Sequence, residues 1–209
     1  MKLFSIEGNI GSGKSTVIEK LNDIPGAVFL PEPVDIWNEI KDTNGVTILE
    51  KYYADNERYA FSFQMMAYIS RLTQIRNNSN CEILITERSV LTDYNVFAKM
   101  LYDSGKIEHI EYSIYLKWFN EFSESVLHGI IYVQTNPETC LKRIEKRNRK
   151  GEESIPLTYL EDCHRYHEEW INNTAIPMVL CLDGQVEQND ETVATINEFL
   201  KKVKKTNIR

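Results

Sequence analysis

Long apolar runs and an excess of positive charge are both missing from this sequence of 209 residues. No apolar stretch approaches the ~20 residues that a membrane-spanning helix needs, so we expect no association with a membrane. Asp and Glu number 31 against 24 Lys and Arg, and the formal net charge is −7. Because nucleic acids attract cationic surfaces, this charge argues against a nucleic acid polymer as a constitutive partner.

Cysteine is also scarce in this chain. The four cysteines are far apart and form no Cys-x-x-Cys pair: Cys81, Cys140, Cys163 and Cys181. This spacing indicates reduced thiols and not a zinc site or a disulfide framework. No leader-like segment precedes the first predicted strand, and we therefore expect a cytoplasmic protein. Repeats and low-complexity linkers are absent as well, so residues 1–209 are predicted to form a single domain.

A glycine-rich segment near the start of the chain carries the strongest functional signal. Residues 8–16 have the pattern Gly-x-x-x-x-Gly-Lys-Ser followed by Thr, and their members are Gly8, Asn9, Ile10, Gly11, Ser12, Gly13, Lys14, Ser15 and Thr16. In such a P-loop the backbone N–H groups wrap nucleotide phosphates, Lys14 reaches their oxygens and the Ser15 hydroxyl binds Mg²⁺. A strand-like run precedes the segment and a helical run follows it, as the motif requires.

Strand-like runs alternate with helical patterns along the whole chain. The predicted strands cover residues 3–7, 27–31, 82–86, 130–134 and 178–182. This alternation predicts an α/β fold, a five-stranded parallel sheet with helices on both faces, which is the P-loop kinase fold.

A long helix is predicted over residues 57–76. Its apolar stripe, for the core or for a subunit interface, consists of Phe61, Met65, Tyr68, Leu72 and Ile75. A neighbouring face carries Gln64, Ala67 and Arg71, which are spaced to read a flat polar ligand or to form a solvated face. Spacing alone favours the solvated face.

Charged residues follow two of the predicted strands, at the sheet edge where ligands of this fold bind. Glu32 precedes Pro33, which bars helix at Glu32 and leaves its carboxylate in an extended turn. Glu87 and Arg88 stand side by side after the third strand. Each residue alone fits a structural role equally well. Together with the P-loop at the same edge, they indicate an active centre.

A basic, glycine-containing segment at residues 143–154 joins two predicted helices. It contains Arg143, Arg147 and Arg149, which fit a lid closing on phosphates, or a basic surface loop. The chain has no Asn-Lys-x-Asp guanine motif, which argues against a switch GTPase. A small P-loop protein with a carboxylate base and an arginine-rich lid is best interpreted as a small-molecule kinase.

The order of these motifs resembles the cellular and viral deoxynucleoside kinases, in particular the deoxycytidine/deoxyguanosine kinase branch. The resemblance rests on residues 8–16, Glu32-Pro33-Val34 with Trp37, Phe61-Ser62-Phe63-Gln64, Ser70-Arg71, Glu87-Arg88-Ser89 with Asp93 and Phe97, residues 143–149 and Ile155-Pro156-Leu157. It extends to about residue 170 and implies ATP and a deoxynucleoside as substrates, with Mg²⁺. It also implies a homodimer joined through helices.

The resemblance implies a role for each matching position. Glu32 would take the proton of the sugar 5′-OH, while Lys14 and Arg88 would hold the transferring phosphate. Ser15 and Glu87 would serve Mg²⁺, and Tyr53 and Glu152 would hold the 3′-OH. The residues implied around the base are Trp37, Phe63, Gln64, Ala67, Arg71, Asp93 and Phe97.

Three points remain open at the sequence level. Glu152 and Glu153 compete for the 3′-OH role, with Glu152 favoured because it lies three residues before Ile155. The adenine-binding loop is assigned only loosely to residues 183–190. A thymidylate-kinase-type monophosphate kinase and a non-catalytic relative are the alternatives. The first would want cations where Glu32 lies, and the second is disfavoured because Lys14, Ser15, Glu32 and Arg88 are all present.

Overall fold

A computed structural model describes residues 1–21, 24, 26–123 and 127–205, and the side chains as far as residue 202. The remaining residues of the predicted domain lie outside this description. The strands are β1 Lys2–Glu7, β2 Ala27–Leu30, β3 Ile83–Glu87, β4 Leu127–Gln134 and β5 Val179–Asp183. The helices are α1 Lys14–Leu21, α2 Val34–Glu39, α3 Ile48–Ala54, α4 Asn56–Asn77, α5 Val90–Thr92, α6 Lys99–Asp103, α7 His109–Phe122, α8 Pro137–Arg147, α9 Leu157–Asn173 and α10 Asp190–Lys205, with a π-helix at Asp93–Ala98.

The strands form a five-stranded sheet in the order β2-β3-β1-β4-β5, and every pairing is parallel. The predicted fold class is therefore confirmed. The predicted strand bounds differ from the observed ones by at most one residue, except at β4, which begins three residues earlier than predicted. Parallel pairing brings the carboxyl ends of all five strands to one edge of the sheet, so the segments that follow the strands meet there.

Two apolar layers cover the sheet because successive strand residues point to opposite faces. Phe4 and Ile6 pack towards α1 and α10, whereas Leu3 and Leu84 pack towards α4, α8 and α9. All of these side chains are buried. The sheet is therefore a rigid platform, and the loops at its carboxyl edge carry the polar residues. Among the described helices, none has the length and apolar character that crossing a membrane requires.

The apolar stripe of α4 is mainly core. Tyr68 is fully buried, and its hydroxyl donates to the Trp118 carbonyl at 3.0 Å. Phe61, Met65 and Leu72 are half-buried around it. The apolar side chains that stay exposed near this helix are Ile69 of α4 and Ile110, Ile114, Trp118 and Phe122 of α7.

The neighbouring face of α4 corrects one expectation. Spacing favoured a solvated face for Gln64, Ala67 and Arg71, yet each of them is less than 5% exposed. Helices α2 and α3, together with the segment 90–103, enclose this face. Helical spacing shows which residues share a face, but it cannot show which other elements cover that face.

Candidate active site

The P-loop follows β1 and turns sharply into α1. Gly8 and Gly11 have φ angles of +144° and +75°, and a Cβ on either would lie 2.6 Å from a backbone oxygen, that of Val133 or of Cys140. Glycine is therefore required at both positions, for conformation and for space. The resulting turn leaves its N–H groups and the start of α1 facing the same cleft, which suits an anion.

Lys14 is buried at the base of this turn. Its ammonium donates to the Asn9 carbonyl at 2.8 Å and lies 4.0 Å from the Glu87 carboxylate. Burial lowers the pKa of Lys14 to about 8, and the positive charge of Arg88 adds to the effect, although Glu87 and Glu32 oppose it. A desolvated cation with incomplete compensation is poised to bind phosphate oxygens.

Ser15 and Glu87 are in direct contact beside the P-loop. The Ser15 hydroxyl is 3.1 and 3.2 Å from the two carboxylate oxygens of Glu87. Hydroxyl and carboxylate oxygens beside a phosphate site are the donors that Mg²⁺ takes, so this pair fits the ion that the sequence predicts.

Glu32 lies at the end of β2 between two arginines. Its Oε1 accepts a 2.8 Å hydrogen bond from Arg71 and a further one from Arg88. Burial would raise the pKa of Glu32, but the charges of Arg88 and Arg71 outweigh it and hold the pKa far below the usual range. The two arginines therefore favour the ionised form of the Glu32 carboxylate.

Arg88 has a backbone conformation that residues other than glycine rarely adopt, with a φ of +61°. Its N–H donates to the Ile6 carbonyl at 3.0 Å, and its guanidinium lies 5.1 Å from the centre of the Phe97 ring. The buried Nε has no hydrogen-bond partner among the described residues. Strained backbone of this kind is typical of functional sites, and here it turns the guanidinium into the cleft.

Arg71 connects the carboxylates of the cleft. Its Nε donates to both oxygens of Asp93 at 3.2 and 3.0 Å, and its Nη1 donates to the Glu87 carbonyl at 2.9 Å. Burial raises the pKa of Asp93 to about 6, although Arg71 opposes the rise. The pair that sequence analysis proposed for reading a base is thus buried within the cleft.

Aromatic rings form the wall opposite the phosphate loop. Phe63 meets the edge of Trp37 at a centroid distance of 5.2 Å and stacks on Tyr52 at 4.5 Å. The Trp37 N–H donates to Ser70 at 2.9 Å, which fixes the indole. Such a slot, with Gln64 on its side, suits a flat heteroaromatic ring.

The lid lies over the open side of the cleft. Glu152 is buried, and it accepts hydrogen bonds from Arg147 and, at 3.1 Å, from Arg149. The two arginine side chains are 35% and 34% exposed, so they are only partly solvated. Glu153, by contrast, is exposed and accepts from the Gly151 N–H at 2.7 Å. Of the two competing glutamates, Glu152 is the one that lines the cleft.

Arg143 lies in α8 and not in the loop that follows it. Its guanidinium donates to the Ser12 carbonyl at 3.0 Å and to the Gly184 carbonyl at 2.8 Å. It therefore connects the P-loop with the segment 183–190 that was loosely assigned to adenine. This contact holds Gly184 of that segment close to the P-loop.

Most of the predicted site residues line one cleft of about 580 Å³, part of which is open to solvent. All of the residues proposed for the nucleoside are included: Glu32, Trp37, Tyr53, Phe63, Gln64, Ala67, Arg71, Arg88, Asp93, Phe97 and Glu152. The cleft also contains residues that sequence analysis missed, namely Leu49, Tyr52 and Tyr159. The Tyr52 and Tyr159 hydroxyls are 2.7 Å apart. Neither tyrosine belongs to a sequence motif. The only sequence signal is that Tyr52 directly precedes Tyr53, which was predicted to lie in the site.

Comparison with known proteins shows the family to which this chain belongs. The family model described as deoxynucleoside kinase matches residues 4–208. Human deoxycytidine kinase is 38% identical over 237 aligned residues, which cover 96% of this chain and 91% of the human protein. The chain belongs to the deoxynucleoside kinase family.

Members of the deoxynucleoside kinase family that resemble this chain are named for different nucleosides. A probable deoxycytidine kinase of fowlpox virus is 39% identical, and the match covers 82% of this chain and 72% of the viral protein. Human mitochondrial thymidine kinase 2 is 33% identical, and the match covers 83% of this chain and 66% of the human protein. The base preference of this family member must therefore be argued from its own site.

Proposed function

We propose that this protein transfers the γ-phosphate of ATP to the 5′-OH of a deoxynucleoside, as an enzyme of nucleotide salvage. One observation carries the proposal: the P-loop lysine and the ionised carboxylate of Glu32 line the same cleft as an aromatic slot. Family membership supports the same activity. A nucleoside placed in the slot would direct its 5′-OH towards Glu32 and the phosphate site.

Phosphoryl transfer requires positioning and charge stabilisation more than covalent chemistry from the protein. We propose that Glu32 accepts the hydrogen bond of the 5′-OH and receives its proton as the bond to phosphorus forms. Lys14 and Arg88 would donate to the transferring phosphoryl oxygens. Ser15 and Glu87 would hold Mg²⁺, which supplies further neutralisation of phosphate charge when bound. Arg147 and Arg149 would add cations from the lid.

Glu152 is proposed to have two successive roles, first pairing with the lid arginines and then binding the sugar. It now neutralises Arg147 and Arg149. We propose that bound ATP draws these arginines to phosphate oxygens and leaves Glu152 to accept from the sugar 3′-OH beside Tyr53. The arrangement ties correct sugar binding to the arrival of the donor.

The carboxylate of Glu32 argues for a neutral hydroxyl acceptor. A monophosphate acceptor would bring its own negative charge against Glu32, whose neighbouring cations are already paired with it. Repulsion between like charges in a buried site is costly. This geometry disfavours the thymidylate-kinase-type alternative.

For the base, we propose a preference for deoxycytidine and deoxyadenosine over thymidine. Asp93 accepts hydrogen bonds when ionised, and cytosine and adenine carry an exocyclic amino donor where thymine carries a carbonyl. The buried Gln64 Oε1 has no hydrogen-bond partner among the described residues, so it offers another acceptor. The carbonyl of thymine would leave the Asp93 carboxylate unpaired, which costs about 1–3 kcal/mol, or roughly 10–100-fold in specificity.

Deoxyguanosine is proposed to rank behind these two. The O6 of guanine accepts hydrogen bonds, so Arg71 would have to turn towards it. Each of the three nitrogens of Arg71 already donates a hydrogen bond, to Asp93, Glu32 or the Glu87 carbonyl. Rotating the guanidinium would leave buried carboxylates unpaired.

We further propose a homodimer. Ile110, Ile114, Trp118 and Phe122 of α7 are between 42% and 66% exposed, and Ile69 of α4 is 44% exposed beside them. A contiguous patch of large apolar side chains is typical of an interaction surface. A cytoplasmic location is also proposed, in keeping with four free thiols, although one relative is named as mitochondrial.

The function is tested by incubating purified protein with Mg²⁺ and ATP against the four natural deoxynucleosides and the corresponding monophosphates. We expect 5′-monophosphates to form, most efficiently from deoxycytidine or deoxyadenosine. Phosphorylation of monophosphates alone would favour the alternative kinase class. No transfer to any acceptor would favour the non-catalytic relative, and thymidine as the best substrate would refute the proposed base preference.

A further inference from the structure

An ion pair connects the lid with the wall of the nucleoside slot. The Lys150 ammonium lies 2.7 Å from Oε1 of Glu50, with the lysine side chain 82% exposed and the glutamate side chain 17% exposed. Lys150 is in the lid, directly after Arg149. Glu50 is in α3, the helix that supplies Leu49, Tyr52 and Tyr53 to the cleft.

Glu50 is held firmly in its position on α3. It closes a capping box at the start of this helix, where it accepts from the Thr47 N–H at 3.0 Å and its own N–H donates to the Thr47 hydroxyl at 3.2 Å. The Lys150 and Thr47 hydrogen bonds together lower the pKa of Glu50 to about 2. The Glu50 carboxylate is therefore fixed to the backbone at the start of α3.

Backbone contacts bring the two segments together at the same place. Gly151 has a φ of +92°, and a Cβ there would lie 3.3 Å from the Glu50 Cα. Further along the lid, the Ser154 hydroxyl lies 3.5 Å from the Tyr53 carbonyl. A second cleft separates the lid from the rest of the α2–α3 region and is lined in part by Asn38, Lys41, Gly45 and Lys150. Glu50 is thus the residue at which α3 contacts the lid through both a side chain and the backbone.

We propose that the Lys150–Glu50 pair couples the two substrate sites, so that binding of the phosphate donor under the lid tightens binding of the nucleoside against α3. The inference rests on the proposed function, because it concerns the same cleft. Donor binding would draw Arg147 and Arg149 towards phosphate, and Lys150, the next residue, would keep α3 in contact with the lid. Lys150 and Glu50 act as positioning residues in this scheme and touch neither substrate.

The test measures the dissociation constant of the best deoxynucleoside substrate with and without saturating β,γ-methylene-ATP. The ratio of the two constants is the coupling factor. Exposed ion pairs contribute little, so we expect Lys150→Met or Glu50→Gln to lower this factor by about twofold to fivefold. Glu50→Gln retains the capping box. The double variant should lower the factor no further than either single change, and Lys150→Arg should restore it.

Ionic strength gives a second readout that a purely structural role would not move. Raising the salt concentration should lower the wild-type coupling factor towards that of Lys150→Met and leave the variant's factor unchanged. The matched control is Arg165→Met, which removes an exposed pair of the same 2.7 Å length with Asp162 on α9. This control should keep both the wild-type factor and its dependence on salt.

A wild-type factor of one, or an unchanged factor in both Lys150→Met and Glu50→Gln, overturns the inference while the proposed kinase activity stands. Equal losses in Arg165→Met overturn it as well. If the wild type neither binds nor phosphorylates any deoxynucleoside, the proposed function and the inference fall together, and the acceptor panel identifies that case independently.

Discussion

Arg71 and Glu32 share a 2.8 Å hydrogen bond between Nη2 and Oε1, which joins the base end of the cleft to the carboxylate proposed to receive the 5′-OH proton. The same guanidinium holds Asp93 through Nε. Base recognition and acceptor positioning therefore depend on one side chain. This arrangement makes the two ends of the nucleoside site a single electrostatic unit.

Removing the shared cation should be more harmful to stability than removing it together with one of its partners. Arg71→Met leaves Asp93 as a buried and unpaired carboxylate, and breaking a buried pair in this way costs about 3–5 kcal/mol. Arg71→Met/Asp93→Ala removes that charge too, while Glu32 keeps Arg88. Urea denaturation of both variants is the measurement. A double variant that is less stable than Arg71→Met would contradict the argument.

Much of this fold could be predicted from sequence, and the reasons are physical. Short apolar runs bounded by a glycine-rich or a polar turn locate β1 and β3 to within one residue, because a buried strand is apolar in its local composition. The early start of β4 was not predicted because Leu127 and Gly129 pair with β1 across a shift in register, and composition does not reveal such a shift. The P-loop was recognisable because its chemistry requires a fixed local spacing.

The site was predicted less completely because its geometry depends on distant contacts. The Arg71–Glu32 hydrogen bond joins residues that are 39 positions apart, and no local sequence pattern predicts it. The positive φ of Arg88 and the π-helix that begins at Asp93 have no composition signal either. These two features aim a guanidinium and a carboxylate into the cleft. Tertiary packing, and not propensity, determines both.

Glu32→Gln should lower single-turnover phosphorylation by about 10²–10⁴-fold, because the amide keeps the shape of the side chain but cannot take the proton. The pKa of Glu32 is held far below its usual range by Arg88 and Arg71 against the effect of burial. The wild-type kcat should therefore show no acid limb from this residue above pH 5. Rapid-quench measurements across pH provide the test, and a loss smaller than about tenfold would assign the proton elsewhere.

Lys14→Met should lower kcat by at least about 10²-fold, the scale for losing a donor to a developing charge. The wild type carries a second signature, since burial and Arg88 lower the pKa of Lys14 to about 8. Lys14 is charged below that pH, so kcat/KM for ATP should fall as the pH rises through 8. At saturating ATP, the bound phosphates should stabilise the charged form of Lys14. The decline in kcat should therefore occur at a higher pH than the decline in kcat/KM. A flat alkaline profile would remove Lys14 from phosphate binding.

Trp118→Glu should convert a dimer into a monomer, because it places a charge in the exposed apolar patch of α7. Light scattering after size exclusion gives the mass, and circular dichroism checks that the fold is retained. Ile40→Glu is the matched control, since Ile40 is 49% exposed but lies outside this patch. Loss of the dimer in both variants would mean that charge alone, and not this surface, controls association.

The preference for an amino-bearing base should disappear as the pH falls through the titration of Asp93. Burial raises the pKa of Asp93 to about 6 despite the opposing charge of Arg71. Above that pH the ionised carboxylate accepts from the amino group of cytosine, and below it the protonated form can donate to the carbonyl of thymine. The ratio of kcat/KM for deoxycytidine to that for thymidine should therefore decrease from pH 8 to pH 5, approaching about tenfold per pH unit below the pKa. Taking this ratio cancels the contributions of ATP binding and of Glu32, which both nucleosides share. Asp93→Asn should give a lower ratio that no longer depends on pH, and a wild-type ratio that stays constant over this range would exclude Asp93 as the group that reads the base.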